Sequence, residues 1–311
     1  MKQRFLIILT VIVLLPIKLA AADTLTVEQK LVSEYSRMTV FRNQVWQNAA
    51  IRYDQRPFTL TDISVKGVYD QRGNAALAQE GNGKKDFSAE VNSFLVLNQS
   101  SRLFGQASYR NGRRKNVVWN ENSDYSMLYP YVVGDSIGGF MKEEEYKFSG
   151  GYAYRFGKWT AGAEIGYRAV IAYRDKDPRP RNIISDLQAS VALARNLNEK
   201  YTLGLSVQVR KYNQKSDIKF LADKGSTSVY QMLGLGMDYI RFAGTQTSTR
   251  YTGSGIGGSI DLLPVSQNGE NNGFSVSLRT DYFHLTKQLS NLDYTPVSYT
   301  HLRAHETCAD L

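Results

Sequence analysis

The feature that most constrains this chain is an alternation of apolar and polar side chains, period two, that begins near Thr59 and recurs almost to its end. Successive side chains of an extended strand leave opposite faces, so such alternation specifies ribbons with two chemically different sides. Ten segments show it. Ile63, Val65 and Tyr69 alternate with Asp62, Ser64 and Lys66; Phe87 to Leu97 and Leu103 to Tyr109 follow. The fourth and fifth segments carry Tyr146, Phe148, Tyr152, Tyr154 and Phe156, then Trp159, Ile165, Tyr167 and Ile171. Leu187 to Leu193 and Tyr201 to Val209 form the sixth and seventh. The eighth holds Leu233, Leu235, Met237 and Tyr239; the ninth Ile256, Ile260 and Leu262; the tenth Phe274, Val276, Leu278 and Tyr282. Most run about nine to thirteen residues, close to the roughly 9–11 that cross a bilayer when tilted and longer than ordinary globular strands.

The connections add a second constraint. Those at 98–101, 157–158 and 196–200 are short, whereas 73–85, 111–144, 174–184, 213–229 and 264–272 are long. Short periplasmic turns and longer extracellular loops alternate in this way in outer-membrane barrels. The break at Arg241–Gly253 should be short on this scheme and is not. Phe156, Trp159, Tyr201 and Tyr239 flank the short connections, and Tyr109, Tyr146, Tyr173 and Tyr230 flank the long ones. Two aromatic girdles at the lipid headgroups are expected from that placement. The expected fold class is all-β: an antiparallel up-and-down transmembrane β-barrel, incomplete, of at least ten strands, preceded by a signal peptide. A soluble β-sandwich is the competing fold.

Residues 1–22 have the parts of a secretory signal: Lys2 and Arg4, an apolar run from Phe5 to Ile17, and Ala20-Ala21-Ala22 as the cleavage region. The run is too short for a helical span of about 20 residues, and no cysteine follows it to accept a lipid. Residues 23–57 form a lead-in with Leu31, Tyr35, Met38, Phe41, Val45 and Trp46 at loosely helical spacing. A periplasmic helix, a luminal plug and an extended lead-in all fit it. Residues 58–296 hold the partial barrel. From Val297 to Thr307 the chain resembles one reading frame of a transposon-type sequencing adapter, so residues 297–311 are expected to be a non-native tail.

Without the signal and tail, the formal charge of +9 falls to about +7, because three cations and one net negative charge leave with them. Cys308, His301 and His305 also leave, so the remainder has no cysteine, needs no disulfide framework and retains one histidine, His284. The Trp46-Gln47-Asn48-Ala49-Ala50 element and the tyrosine-rich hairpins after it resemble an uncharacterised family of outer-membrane barrels from Bacteroidota. The resemblance covers about residues 23–296 and implies a longer parent protein with no known activity.

By strand parity, Lys66, Arg102, Arg110, Lys147, Arg155, Arg168, Arg210 and Arg279 face inward with Asp62, Asp86, Glu90, Glu164, Asp186, Asp238, Asp261 and Asp281. Equal numbers of each sign suggest a cross-paired lumen with weak ion selectivity. The lumen-lining candidates are thus Lys66, Glu90, Arg110, Arg155, Glu164, Arg168, Arg210, Arg279 and Asp281. Surplus positive charge is expected in outer loops: Arg113-Arg114-Lys115, Arg174 with Lys176, Arg179 and Arg181, and Lys211, Lys215, Lys219 and Lys224. Arg113, Arg114 and Lys115 are the candidates for contact with anionic lipid headgroups. Glu143-Glu144-Glu145 is expected at a solvated loop end. His284 shares Tyr282's outward parity while Asp281 points inward, so no acid–base pair forms. No cofactor, metal or catalytic residue is expected. The expected function is a non-enzymatic outer-membrane barrel with a pore or surface role. Its expected partners are outer-membrane lipid and the barrel-assembly machinery, and nucleic acid is not among them. A barrel enzyme with its site beyond Pro296 and a soluble secreted glycan-binding β protein are the alternatives.

Overall fold

The computed structural model describes residues 47–198, 200–221, 228–234, 237–238, 247–264, 273–289 and 292–309, together with Thr26 and Glu28. The signal segment, the helically spaced positions Leu31 to Trp46, and Lys224 and Tyr239 lie outside the described residues.

In chain order the elements are a 3-10 turn η1 (Ile51–Asp54), β1 (Leu60–Gln71), β2 (Gly83–Val96), β3 (Ser101–Val117), a single helical turn α1 (Tyr125–Leu128), β4 (Val133–Gly134), β5 (Gly139–Phe156), β6 (Trp159–Tyr173), β7 (Arg179–Asn196), β8 (Tyr201–Lys219), β9 (Tyr230–Gly234), β10 (Met237–Asp238), β11 (Thr247–Pro264), β12 (Gly273–Leu289) and β13 (Leu292–Ala309). Ten strands form one sheet in the order β1-β2-β3-β5-β6-β7-β8-β11-β12-β13. Every neighbouring pair is antiparallel, so the sheet is an up-and-down meander. β4, β9 and β10 make a separate three-stranded sheet within the long connections.

The two faces differ as the alternation requires. Ile63 is 72% exposed and Val191 63%, and Phe148, Ile165, Tyr167, Val207, Ile256 and Tyr282 on the same face are likewise open. The opposite face carries the buried Phe94, Phe104, Ile184, Tyr212 and Tyr251 beside Asp186 and Asp261. That second face is concave. Tyr53 of η1 donates its hydroxyl hydrogen bond to the carbonyl of Gln99, beside β3, while Asn48 Nδ2 donates to Asp261 Oδ2 on β11 at 3.2 Å. A flat sheet would put β3 and β11 about 24 Å apart, five steps of about 4.8 Å. The five residue steps from Asn48 to Tyr53 supply only about 10 Å of rise at 3-10 pitch. The sheet therefore curls around this segment, leaving its apolar side outermost.

Several sequence expectations change. Met237 and its neighbours do not form a wall strand: β9 and β10 belong to the small sheet, and β8 pairs directly with β11. Asp238 is accordingly not on the wall. This removes the anomalous break at Arg241–Gly253, since 220–246 becomes one long connection at the loop end. The connection at 265–272 moves to the turn end, joining Pro264 to Gly273. Alternation alone could not tell a wall strand from a loop hairpin, because both alternate. The wall strands are also longer than expected, from 12 residues in β1 to 19 in β8. Lys211, Lys215 and Lys219 therefore lie in β8, and Arg113, Arg114 and Lys115 in β3. Glu143, Glu144 and Glu145 are strand residues of β5, and Glu145 is buried. Beyond Pro296, β13 pairs with β12 as far as Gly273↔Ala309. Pairing uses backbone groups that every non-proline residue carries, so it is indifferent to the origin of that stretch.

Candidate functional site

The concave face is occupied near its turn end by residues 48–54. Asn48 organises this entry: its Oδ1 accepts from the amides of Ala50 and Ile51 at 3.0 and 3.3 Å, starting the η1 turn. Arg52 pairs with Glu164 at 3.1 Å, and Arg155 donates to Asp54 at 2.5 Å while lying 3.9 Å over the Tyr53 ring. Two glycines make room for it. A Cβ on Gly162 would sit 2.4 Å from Ala49 and Ala50 backbone atoms, and one on Gly204 the same distance from Ile51. Of the three options for residues 23–57, residues 48–54 thus adopt an interior position.

Near the loop end, the connection 118–138 folds inward over the same face. Arg168 forms a bidentate pair with Asp124, at 2.9 and 2.7 Å, and also donates to Glu145 at 2.6 Å. Tyr212 donates to Asp124 at 3.0 Å, Asn122 to Ser216 at 3.1 Å, and Tyr251 to the Tyr131 carbonyl at 2.8 Å. Leu128 and Val132 pack among Val170, Ile184, Tyr212, Tyr251, Phe283 and Leu285. Beneath the loop, Arg174 donates from Nη2 to Glu121 and, at 2.7 Å, to Asp135, and from Nε to the Pro178 carbonyl at 3.0 Å. These three side chains are 2%, 1% and 0% exposed. Arg174 is therefore an internal anchor and not one of the solvated loop cations expected. Arg174 Nη1 and Glu121 Oε2 have no hydrogen-bond partner among the described residues.

Beside the first insert, against the concave face, lies a polar cavity of about 640 Å³, lined by Arg52, Glu90, Gln106, Glu164, Gln188 and Gln208 among others. Of the lumen-lining candidates, Glu90 accepts from Asn92 and Gln106 at 2.7 and 2.9 Å. Arg110 pairs with Glu143, and with Glu145 at 3.4 Å and Asp86 at 3.6 Å. Arg210 makes a bidentate pair with Asp186 at 2.9 and 2.7 Å and lies 5.1 Å over the Phe283 ring. Glu164, Arg155 and Arg168 are engaged as described above. Arg279 lies opposite Ser259, Asp281 opposite Gly257, and Lys66 is exposed on β1, the first strand of the sheet. Glu90 and Glu164 border the cavity, Arg155 braces η1, and Arg110 and Arg168 share Glu145 closer to the loop end.

Arg113, Arg114 and Lys115 do not form one patch. Arg114 turns inward to Glu143 at 3.6 Å and to the Ser123 carbonyl at 3.4 Å, whereas Arg113 is exposed with its guanidinium 5.3 Å over Phe140. Strand alternation separates them.

A second pocket, about 320 Å³, escaped the sequence. Trp119, Tyr125, Tyr129, Tyr230, Met232 and Asp238 meet in the loop layer. Trp119 and Tyr230 have ring centroids 6.0 Å apart, and Tyr125 and Tyr129 5.7 Å. Burial raises the Tyr125 pKa, helped by Tyr129 and Glu80. Asp238 Oδ2 is buried with no partner among the described residues. The pocket is assembled from three separate connections, so no local spacing announces it.

A meander that is apolar outside, polar inside and curled around its own leading segment defines the wall of an outer-membrane-type β-barrel. The chain belongs to a family described as "Family of unknown function (DUF6850)", whose profile matches residues 49–311. No curated protein matches it in sequence. Among solved structures it is similar to the unliganded ferric citrate transporter FecA, at 11% identity over 78% of this chain and 35% of that one, with a TM-score of 0.46. It is similar also to BauA, the ferric preacinetobactin receptor from Acinetobacter baumannii (12%, 78% and 40%, TM-score 0.42). A third is the ferric yersiniabactin uptake receptor FyuA from Yersinia pestis (11%, 80% and 39%, TM-score 0.43). The chain spans 35% to 40% of the length of those proteins.

Proposed function

We propose that this is a non-enzymatic outer-membrane β-barrel protein with a pore or surface role, whose interior is held by its own chain. The observation that carries this is the polar cavity between the inserted leading segment and the concave face of a wall whose outer face is apolar. Water on both sides of such a wall would leave its open apolar face unsatisfied, whereas lipid satisfies it. His284 lies opposite Ser254 on the outward parity and Asp281 opposite Gly257 on the inward one, so the two do not meet as a catalytic pair. The outer face makes lipid the principal partner, and delivery to it requires the barrel-assembly machinery.

A surface role that takes a sugar is favoured by the aromatic pocket, whose ring faces and Asp238 carboxylate suit a ring with apolar faces and hydroxyl edges. The deciding experiment is fractionation of the expressed protein, followed by heat-shifted mobility in detergent gels and conductance in planar bilayers. A product that sediments with membranes and migrates faster unheated supports the proposal. One that stays in the aqueous fraction overturns it.

A further inference from the structure

The register places a row of cations on the outer face at the loop end. Lys85 lies opposite Arg113, Arg113 opposite Lys142, and Lys142 opposite Tyr173, across β2, β3, β5 and β6. Lys85 and Arg113 share the outward parity of Phe87 and Tyr109, and Lys142 that of Phe140 and Tyr146. The row continues through Tyr173 to Arg181 on β7. Nothing in the spacing of these residues along the chain shows it, because they come from five strands.

Its height can be worked out from β5. Tyr146 and Phe156 are the outward aromatics near the two ends of the apolar band. The ten residue steps from one to the other span about 33 Å along the strand, or about 25 Å of height at the usual tilt, which is the thickness of the apolar band in such barrels. Lys142 lies four residues beyond Tyr146, and Arg113 four beyond Tyr109, which itself pairs with Tyr146. The cations therefore stand about 10 Å above the band, among headgroups. The long connections at this end mark it as the outer leaflet.

The surroundings suit an anion attached to an apolar body. A groove of about 340 Å³ runs along the row, lined by Lys85, Phe87, Arg113, Glu144, Lys142 and Tyr173 among others. The Arg113 guanidinium lies 5.3 Å over Phe140 and the Lys142 ammonium 5.5 Å over Tyr173, so aromatic faces hold the charged heads beside the groove. Neighbouring strands are about 4.8 Å apart, which lets one phosphate engage two cations at once. Two carboxylates border the row: Asp175, paired with Lys142, and Glu144, which accepts from Asn111 at 3.3 Å. The Lys142–Asp175 pair is exposed on both sides, and exposed pairs contribute little, so a phosphate can displace Asp175. Asp86 and Glu143 are engaged from the concave side by Arg110.

We propose that Lys85, Arg113 and Lys142 form a binding site for the phosphate of an acylated outer-leaflet glycolipid, whose chains lie on the apolar wall below. This rests on the outer-membrane barrel proposed above and names its lipid partner. It also replaces the consecutive trio Arg113, Arg114 and Lys115, of which Arg114 faces inward. The test is retention of diphosphorylated lipid A by the full chain after detergent washing, read by native mass spectrometry. Lys85→Gln/Arg113→Gln/Lys142→Gln should lower retention at least tenfold, while Lys158→Gln/Lys200→Gln at the turn end leaves it unchanged. Asp175→Asn should raise retention, a direction that misfolding does not produce. Heat-shifted mobility of each variant reports the barrel separately, so loss of the barrel and loss of the site are distinguished. Equal retention of dephosphorylated lipid A, equal retention by the triple variant, or full displacement by millimolar inorganic phosphate would overturn the proposal.

Discussion

Removing the guanidinium of Arg174 should unfasten the inward loop without unravelling the wall. Its side chain is buried against the Glu121 and Asp135 carboxylates, both contributed by the connection 118–138. Arg174→Met leaves two buried carboxylates facing each other with no cation between them. Breaking a buried pair from one side costs about 3–5 kcal/mol. That cost falls on the loop, because the strands are held by backbone ladders that do not involve Arg174's side chain. The amides of Trp119 and Glu121, which donate to the Asp135 and Val133 carbonyls at 2.9 and 2.7 Å, report on it directly. At about 1.4 kcal/mol per factor of ten, their hydrogen-exchange protection should fall by about two to three and a half orders of magnitude, while β6 and β7 amides keep theirs. Arg174→Met combined with Glu121→Gln and Asp135→Asn should recover most of the loss, since the cost is unpaired charge and not missing volume. Unchanged protection in the single variant, or a combined variant as exposed as the single one, would refute this account.

Gly162→Val should expel η1, because the new side chain meets the Ala49–Ala50 backbone; overpacking of about 1–3 kcal/mol would appear as new proteolysis at Arg52 and Arg56 with the wall intact. Ile165→Arg on the outer face should destabilise the barrel in lipid vesicles by about 2–4 kcal/mol, whereas Gln188→Arg, lining the cavity on the neighbouring strand, should cost far less; equal losses in denaturant titrations would contradict the assignment of faces. If the protein conducts, the mixed charge of its concave face predicts a reversal potential near zero in a salt gradient, and strong preference for one sign would reject that.

Which side of each wall strand faces out is legible in the sequence, because period two is a property of the extended backbone itself. Ile63, Phe148, Ile165 and Val191 lie where parity puts them. The eighth segment shows the limit: Leu233, Leu235, Met237 and Tyr239 alternate as a wall strand does, yet the described residues there, in β9 and β10, pair within the loop layer. Pairing depends on what lies beside a strand in space, and alternation carries no information about that. Strand ends were underestimated for a related reason. Above the apolar band both faces become polar, so the pattern fades while the ladder continues, and Glu143 to Glu145 and Arg113 to Lys115 look like loop.

The sequence by itself determined that the chain makes long two-faced strands, because that rests on local covalent geometry and transfer chemistry. Tertiary structure alone decided that Asn48 begins an interior turn, that Arg174 is an internal anchor, and that Lys85, Arg113 and Lys142 stand side by side. Each of those facts depends on strand register and on sheet curvature. They bring together residues dozens of positions apart, and no local pattern in the chain encodes such distances.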